Sequence, residues 1–261
     1  MELQGKVALV TGAGSGIGKA AAVLLAREGA AIGVLSRTDD EVRKTAAEIE
    51  RAGGRALPLV ADISESDAMR SATDRLAGEF GRLDIVFANA GINGVWAPID
   101  ELQPEEWDRT VAVNLRGTYL TLHHAVPHLK RAGGGAVVVT SSINGTRTFS
   151  NTGATAYSCT KAAQVAFCKM TALELAKHRI RVNVICPGRI ETEIDENTEP
   201  RNVEKEREPV EFPDGKIPLT DGAAGTAMQV ADLVLFLVSD RARHITGTPI
   251  WIDGGQSLLV G

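Results

Sequence analysis

Cysteine is scarce in this chain: Cys159, Cys168 and Cys186 are the only three in 261 residues. Their number is odd and their spacing fits no metal-ligand pattern, so neither a disulfide framework nor a structural metal is expected. Cys159 has no adjacent base, which argues against a thiol nucleophile. The five histidines are scattered, and His123-His124 lack a carboxylate at ligand spacing. Aromatic residues make up only 4%, and the net charge is -5. A nucleic-acid partner is therefore not expected, for want of a basic field and a stacking platform. Apolar runs are strand-sized or interrupted, which leaves no membrane span. From Met1-Glu2 the chain passes directly into a strand pattern, so no signal peptide is expected and a cytoplasmic location is.

What is present suits a large α/β domain. The apolar share is 44% and the charged share 23%, ordinary for a folded chain long enough to bury a full core. Strand patterns at Lys6–Val10, Ala31–Leu35, Ala56–Val60, Leu83–Phe87, Val137–Thr140, Ile180–Ile185 and Thr248–Ile252 alternate with helical ones. That alternation predicts one domain over 1–261, a doubly wound parallel sheet of about seven strands with helices on both faces. Two long helical regions are expected, Pro104–Arg131 and Thr155–His178. A compositional break falls at Glu191–Asp214, where ten acidic residues stand against Arg201, Lys205 and Arg207. Pro200, Pro209 and Pro213 punctuate it. A lid-like excursion is expected at about 190–222, bordering a substrate.

The chemistry concentrates between Val137 and Lys161. A β-branched strand ends in Ser141-Ser142, and a helix beginning near Thr155 carries Tyr157 and Lys161 one turn apart. At i,i+4 the two share a face, roughly 5–6 Å apart at Cβ. A phenol with a pKa of about 10 is a poor acid or base near neutrality, and a neighbouring ammonium favours the phenolate. Such a tyrosine can exchange a proton with a carbonyl or alcohol oxygen, and a serine hydroxyl can orient that oxygen. Tyr-x-x-x-Lys alone is a common coincidence on solvated helices. Its weight comes from the strand before it and from a second motif.

That second motif follows the first strand: Thr11-Gly12-Ala13-Gly14-Ser15-Gly16-Ile17-Gly18. Strand, glycine-rich turn and helix together suit the pyrophosphate of a dinucleotide, because glycines admit close backbone approach to the helix N-terminus. Strand two ends in Ser36-Arg37-Thr38. A carboxylate usually meets a free ribose 2′-hydroxyl at this point. Ser36 offers none, and Arg37 can pair with a 2′-phosphate, so NADP(H) is favoured over NAD(H). Arg37 as a solvated residue, or stacked on adenine, keeps NAD(H) as the alternative. Asp39 and Asp40 read as first-turn acids of the next helix. Asp62 suits either an adenine amine or a helix cap. Asn89-Ala90-Gly91 gives a small exit from strand four for passage near a ribose. Asn114, in apolar surroundings, needs partners, as structural glue or as holder of a water beside the lysine. Cys186-Pro187-Gly188-Arg189-Ile190 bends the chain where a nicotinamide would rest.

In this order and spacing the chain resembles a single-domain short-chain dehydrogenase/reductase over nearly its whole length. The matching set is Thr11-Gly12-x-x-x-Gly16-x-Gly18, Asp62, Asn89-Ala90-Gly91, Asn114, Ser142, Tyr157-x-x-x-Lys161 and Pro187-Gly188. The resemblance implies a Rossmann-type fold and a role for each residue. Tyr157 would be the general acid/base and Ser142 would hold the substrate oxygen. Lys161 would lower the tyrosine pKa and bind the nicotinamide ribose, and Asn114 would position a relay water. Asp62 and Ile63 would contact adenine, Asn89 and Gly91 the adjoining ribose, and Ile190 with Thr192 the carboxamide. The two long helices would form interfaces of a homotetramer or homodimer, with Asp253-Gly254-Gly255 near subunit contacts. One departure stands out. Leu219–Val230 lacks the arginine and the Pro-Glu-Glu cap that family members often carry before the last helix.

The expected activity is NADP(H)-dependent interconversion of a carbonyl and a secondary alcohol, with a small ketone, polyol, sugar or steroid-like alcohol as substrate. NAD(H)-dependent dehydrogenation, and reduction of a 3-oxoacyl group on an acyl carrier protein, are the alternatives. An acidic carrier needs a basic docking surface, which the acidic segment does not offer, although Lys130-Arg131 lie elsewhere. Trp96 and Phe149 are candidate pocket walls, or ordinary packing. A nucleotide sensor without turnover is disfavoured, because Ser142, Tyr157, Lys161 and Asn114 all stand.

Overall fold

Apolar stretches of the chain become the strands of one parallel sheet. A computed structural model describes residues 1–192, 198–206 and 217–259. In chain order the elements are β1 (Val7–Thr11), α1 (Gly16–Arg27), β2 (Ala31–Ser36), α2 (Asp39–Arg51), β3 (Arg55–Val60), α3 (Ser66–Phe80), β4 (Ile85–Ala88), β5 (Gly94–Trp96) and α4 (Pro104–Val111). Then come α5 (Gly117–Arg131), β6 (Gly135–Thr140), α6 (Thr155–Ala176), β7 (Ile180–Pro187), β8 (Ile190–Glu191), β9 (Thr198–Pro200), β10 (Gly225–Thr226), α7 (Ala227–Val238), β11 (Pro249–Ile252) and α8 (Gln256–Leu259). The sheet runs β11-β7-β6-β4-β1-β2-β3, with every pairing parallel. It is the Rossmann-type doubly wound sheet expected.

Both faces of the sheet are covered, which explains strands that read as unbroken apolar runs. Successive side chains point to opposite faces. Ala8, Val10 and Val138 pack with Leu25 of α1, Ile49 of α2 and Val234 of α7. Val7, Leu9, Val137 and Val139 pack with Leu76 of α3, Leu129 of α5 and Leu175 of α6. Each fully buried leucine or valine contributes about 1.5–3 kcal/mol. The chain winds outward from β1 through β2 to β3, then returns to the other side of β1 at β4. That reversal opens a crevice at the carboxyl ends of β1 and β4.

Three local features differ from the sequence pattern. The region Pro104–Arg131 is α4 and α5 joined by a π-helical segment, Ala112–Arg116, centred on Asn114. The helix after Thr155 ends at Ala176, before His178. The last long helix has its own cap in place of the missing family pattern: Thr226 Oγ1 accepts from the Gln229 amide at 3.2 Å, and Gln229 Oε1 accepts from the Thr226 amide at 2.8 Å. This is a capping box, so the different sequence meets the same need for satisfied amides.

Of the excursion expected at about 190–222, residues 193–197 and 207–216 lie outside the described residues. The described parts are tied down. β8 pairs with β10, and β9 pairs with β5. Beyond β9, Arg201 makes a two-pronged ion pair with Glu106 of α4, at 2.7 and 2.8 Å. Asn202 Nδ2 donates to Glu101 Oε2 at 2.7 Å.

Candidate active site

The crevice at the sheet's carboxyl edge is a cleft of about 450 Å³. Every residue expected at the site lines it except Gly18 and Asn114. Those two stand directly behind it and shape it. A Cβ on Gly18 would strike the Gly12 carbonyl, so only glycine lets α1 start this close to β1. Gly12 and Gly16 have φ of +66° and +50°, the left-handed region that favours glycine. Thr11 Oγ1 accepts from the Asn89 and Ala90 amides at 3.0 and 3.1 Å, locking the turn to the exit of β4. Thr140 Oγ1 in turn donates to Asn89 Oδ1 at 3.1 Å. The result is a preformed backbone cradle opening on a helix N-terminus, and it fits a dinucleotide pyrophosphate.

At the other end of the cleft lies the Ser-Tyr-Lys group, all buried. Ser141 Oγ donates to the Lys161 carbonyl at 2.7 Å, fastening the start of α6 to the end of β6. Ser142 and Tyr157 line the cleft together, and Ser142 Oγ accepts from the Asn144 amide at 3.1 Å. Lys161 Nζ donates to the Thr140 carbonyl at 2.9 Å and lies 5.4 Å from the centre of the Tyr157 ring. Burial holds the Lys161 ammonium at about 8, below its ordinary 10.5. Burial also pushes the Tyr157 phenol up, and the Ser142 hydroxyl is what draws it down. The direction is opposite to that implied by the family resemblance, because burial outweighs the Ser142 hydroxyl.

Asn114 is wholly buried and fully engaged. Its Oδ1 accepts from the Ile92 amide at 2.8 Å, and its Nδ2 donates to the Ile92 carbonyl at 2.9 Å and to Thr160 Oγ1 at 3.2 Å. Its own carbonyl accepts from Gln164 Nε2 and Thr118 Oγ1, at 2.9 and 2.7 Å. These bonds match the reading of Asn114 as glue between the π-helical segment, the Gly91-Ile92 loop and α6. Asp62 also has caps as partners: its Oδ1 accepts from the Ser64 amide and hydroxyl at 2.9 and 2.7 Å. Burial raises its pKa, but the Ser64 bonds and Arg37 outweigh that and hold it low. Arg37 Nη1 stands 4.0 Å from Asp62 Oδ2, with most of its side chain in solvent.

Trp96 lies beside Tyr157, ring centres 6.5 Å apart, but neither Trp96 nor the 74% exposed Phe149 lines this cleft. Several residues that organise the site carry little signal in sequence, among them Thr140, Thr160 and Gln164. Glu41, reached through the first turn of α2, also lines the cleft, and its pattern reads only as helix.

A family model described as enoyl-(acyl carrier protein) reductase matches residues 12–257. The chain belongs to the short-chain dehydrogenase/reductase family. It is 36% identical over 255 residues to a 3-oxoacyl-(acyl-carrier-protein) reductase of Thermotoga maritima, covering 98% of this chain and 99% of that one. It is likewise 36% identical over 252 residues to a cyclohexanol dehydrogenase of Acinetobacter, at 97% and 95% coverage. Among solved structures, a 3-ketoacyl-ACP reductase from Sinorhizobium meliloti superposes with a TM-score of 0.93 at 60% identity, covering 97% of this chain and 99% of that one. A Brucella melitensis 3-ketoacyl-(acyl-carrier-protein) reductase complexed with NADH gives 0.86 at 33% identity. A Burkholderia cenocepacia short-chain dehydrogenase in complex with NADP gives 0.85 at 34% identity. Each of these last two covers 98% of this chain and 99% of its own. The chain is an oxidoreductase of carbonyl and CH–OH groups, as these relatives are, and the solved relatives named here include one with NADH and one with NADP.

Proposed function

We propose that this short-chain dehydrogenase/reductase interconverts a small ketone and its secondary alcohol with NADP(H), using Tyr157 as general acid/base. The observation that carries this reading is the burial of Ser142, Tyr157 and Lys161 together in the same cleft as the glycine-rich cradle. A bound nicotinamide supplies or accepts the hydride. Tyr157 gives its hydroxyl proton to the carbonyl oxygen, or takes one from the alcohol, while Ser142 orients that oxygen. Lys161, buried alongside with Nζ on the Thr140 carbonyl, binds the nicotinamide ribose and, when charged, opposes the burial that raises the phenol. Asn114 acts by position, holding the Gly91-Ile92 loop and Thr160 where Lys161 passes. Ile190 and Thr192, with Pro187 and Gly188, form the wall for the carboxamide.

NADP(H) is favoured because Arg37 extends from the end of β2 at the cleft's rim, where a guanidinium suits a 2′-phosphate. Fluorescence titration with NADPH and NADH tests it. A preference of about tenfold for NADPH, worth about 1.4 kcal/mol, is expected. Equal binding or a preference for NADH would overturn the cofactor reading and leave hydride transfer standing. Binding of neither would overturn both.

The small-substrate reading is supported by the acidic balance of the chain and by the likeness to the cyclohexanol dehydrogenase. A 3-oxoacyl chain on a carrier protein is the second reading, favoured by the name of the 60% identical Sinorhizobium structure. The chain is also proposed to form a homotetramer or homodimer. Met170 and Leu173 of α6, 75% and 83% exposed, support this as apolar surface of one long helix. Light scattering after gel filtration tests it, and a monomer at micromolar concentration would refute it.

A further inference from the structure

The end of β2 has no carboxylate in the sequence, but the fold returns one to that place from α2. Glu41 is half-buried and lines the cleft beside Ser36, Arg37 and Thr38. Ser36 Oγ donates to Glu41 Oε2 at 3.3 Å. The same oxygen would be 2.5 Å from a Cβ on Gly14, so the carboxylate lies against the glycine-rich turn. One turn further along, buried Thr45 donates to the Gly14 carbonyl at 3.5 Å. This face of α2 is docked on the turn, and Glu41 is its charged member at the cleft.

A 3.3 Å bond is long for a hydroxyl to a carboxylate, which usually spans about 2.5–2.7 Å. Among the described residues no cation pairs with Glu41. An ionised carboxylate has about four acceptor positions, so most of its capacity is free to face the cleft. Arg37, the opposite charge of this subsite, is directed at Asp62. The two charges therefore act in opposite senses on the two forms of the nucleotide. Arg37 favours a 2′-phosphate dianion, and Glu41 repels it. A neutral 2′-hydroxyl is indifferent to Arg37 and is a donor for Glu41.

We propose that Glu41 is a specificity-determining residue of the cofactor site, accepting a hydrogen bond from a free ribose 2′-hydroxyl and opposing the 2′-phosphate that Arg37 favours. The inference rests on the dinucleotide reading above. It makes the preference between NADP(H) and NAD(H) a balance of two side chains from different elements, and adjustable at Glu41 alone.

Dissociation constants of NADPH and NADH, measured by fluorescence on the wild type and on Glu41→Gln, Glu41→Ala and Arg37→Gln, test the proposal. Adenosine 2′,5′-bisphosphate and AMP serve as probes without the nicotinamide, and thermal unfolding checks that each variant is folded. Both Glu41 variants are expected to tighten NADPH and the bisphosphate and to weaken NADH. The NADPH:NADH affinity ratio should rise by about tenfold or more, and Arg37→Gln should move it the other way. An unchanged ratio overturns the proposal, including the case where both nucleotides weaken equally because Glu41 only braces the turn. Wild-type protein that binds neither nucleotide overturns the dinucleotide reading instead, and the proposal with it.

Discussion

At the scale of single residues, burial decides how the Ser142, Tyr157 and Lys161 group behaves. Replacing Tyr157 by Phe removes the hydroxyl while keeping the ring beside Trp96. Turnover should fall by about 10²–10⁴-fold with nucleotide affinity kept, read from steady-state rates and a binding titration. Near-normal turnover would remove Tyr157 from the chemistry. Lys161 adds a prediction about stability. Its folded value is about 8 against an ordinary 10.5. Between those values the unfolded chain holds a proton that the folded chain has released, so stability rises with pH across the window. Below about 8 the folded state bears the cost of a buried charge. In denaturant unfolding between about pH 8 and about pH 10, the change in unfolding free energy should be more favourable in the wild type than in Lys161→Met by on the order of 2 kcal/mol. The comparison is needed because the Cys168 and Cys186 thiols, pushed up by burial, act in the opposite sense in both proteins. Equal slopes in the two proteins would mean that water reaches the ammonium.

At the scale of elements, the Arg201–Glu106 ion pair ties the segment after β9 to α4. Arg201 follows β9, Glu106 lies in the first turn of α4, and β9 pairs with β5, which carries Trp96. The Arg201 hydrogen bonds, with the Gln103 amide, hold the Glu106 carboxyl at about 2 against an ordinary 4.5. A depressed carboxyl stabilises the fold above its unfolded value and loses that contribution as pH falls through its folded one. Arg201→Gln should therefore melt lower than wild type at about pH 5, and the two curves should converge toward about pH 2. Curves that stay parallel would show that solvent screening leaves the pair without weight. Because the pair also braces β5, the variant's KM for the carbonyl should rise more than its kcat falls. A change confined to kcat would place the clamp's effect at the reacting atoms instead.

At the scale of the molecule, charge bears on the choice of substrate. The chain carries a net charge of -5, and an acidic carrier protein approaching it meets like charge. Salt screens that repulsion, with a Debye length of about 8 Å at physiological strength. Raising ionic strength should speed reduction of a carrier-bound 3-oxoacyl thioester and leave a small cyclic ketone nearly unaffected. The small ketone should also have the higher kcat/KM. A thioester rate that is comparable and falls with salt would reveal a basic docking surface and favour the carrier reading.

Much of this architecture was legible in the sequence because it follows from short-range rules. Apolar runs of strand length between helical patterns require a parallel sheet covered on both faces, and glycines at Gly12, Gly16 and Gly18 mark where backbone must approach backbone. Tyr157 and Lys161 share a face because a helix turns once in 3.6 residues. Contacts between distant segments were not legible, because spacing says nothing about which helix face docks where. The Ala112–Arg116 segment reads as ordinary helix until Asn114 is seen bonded to Ile92. The cap at Thr226 is of the other kind: Thr226 and Gln229 stand three residues apart, a local pattern that the sequence itself carries. The sequence alone determined the fold, the Ser-Tyr-Lys group and the dinucleotide cradle. Tertiary structure alone decided that Lys161 faces a carbonyl where burial lowers its pKa, and that Glu41 lines the same cleft as Arg37. Both depend on how helices pack on the sheet, which sets the distance and the solvation of each charge.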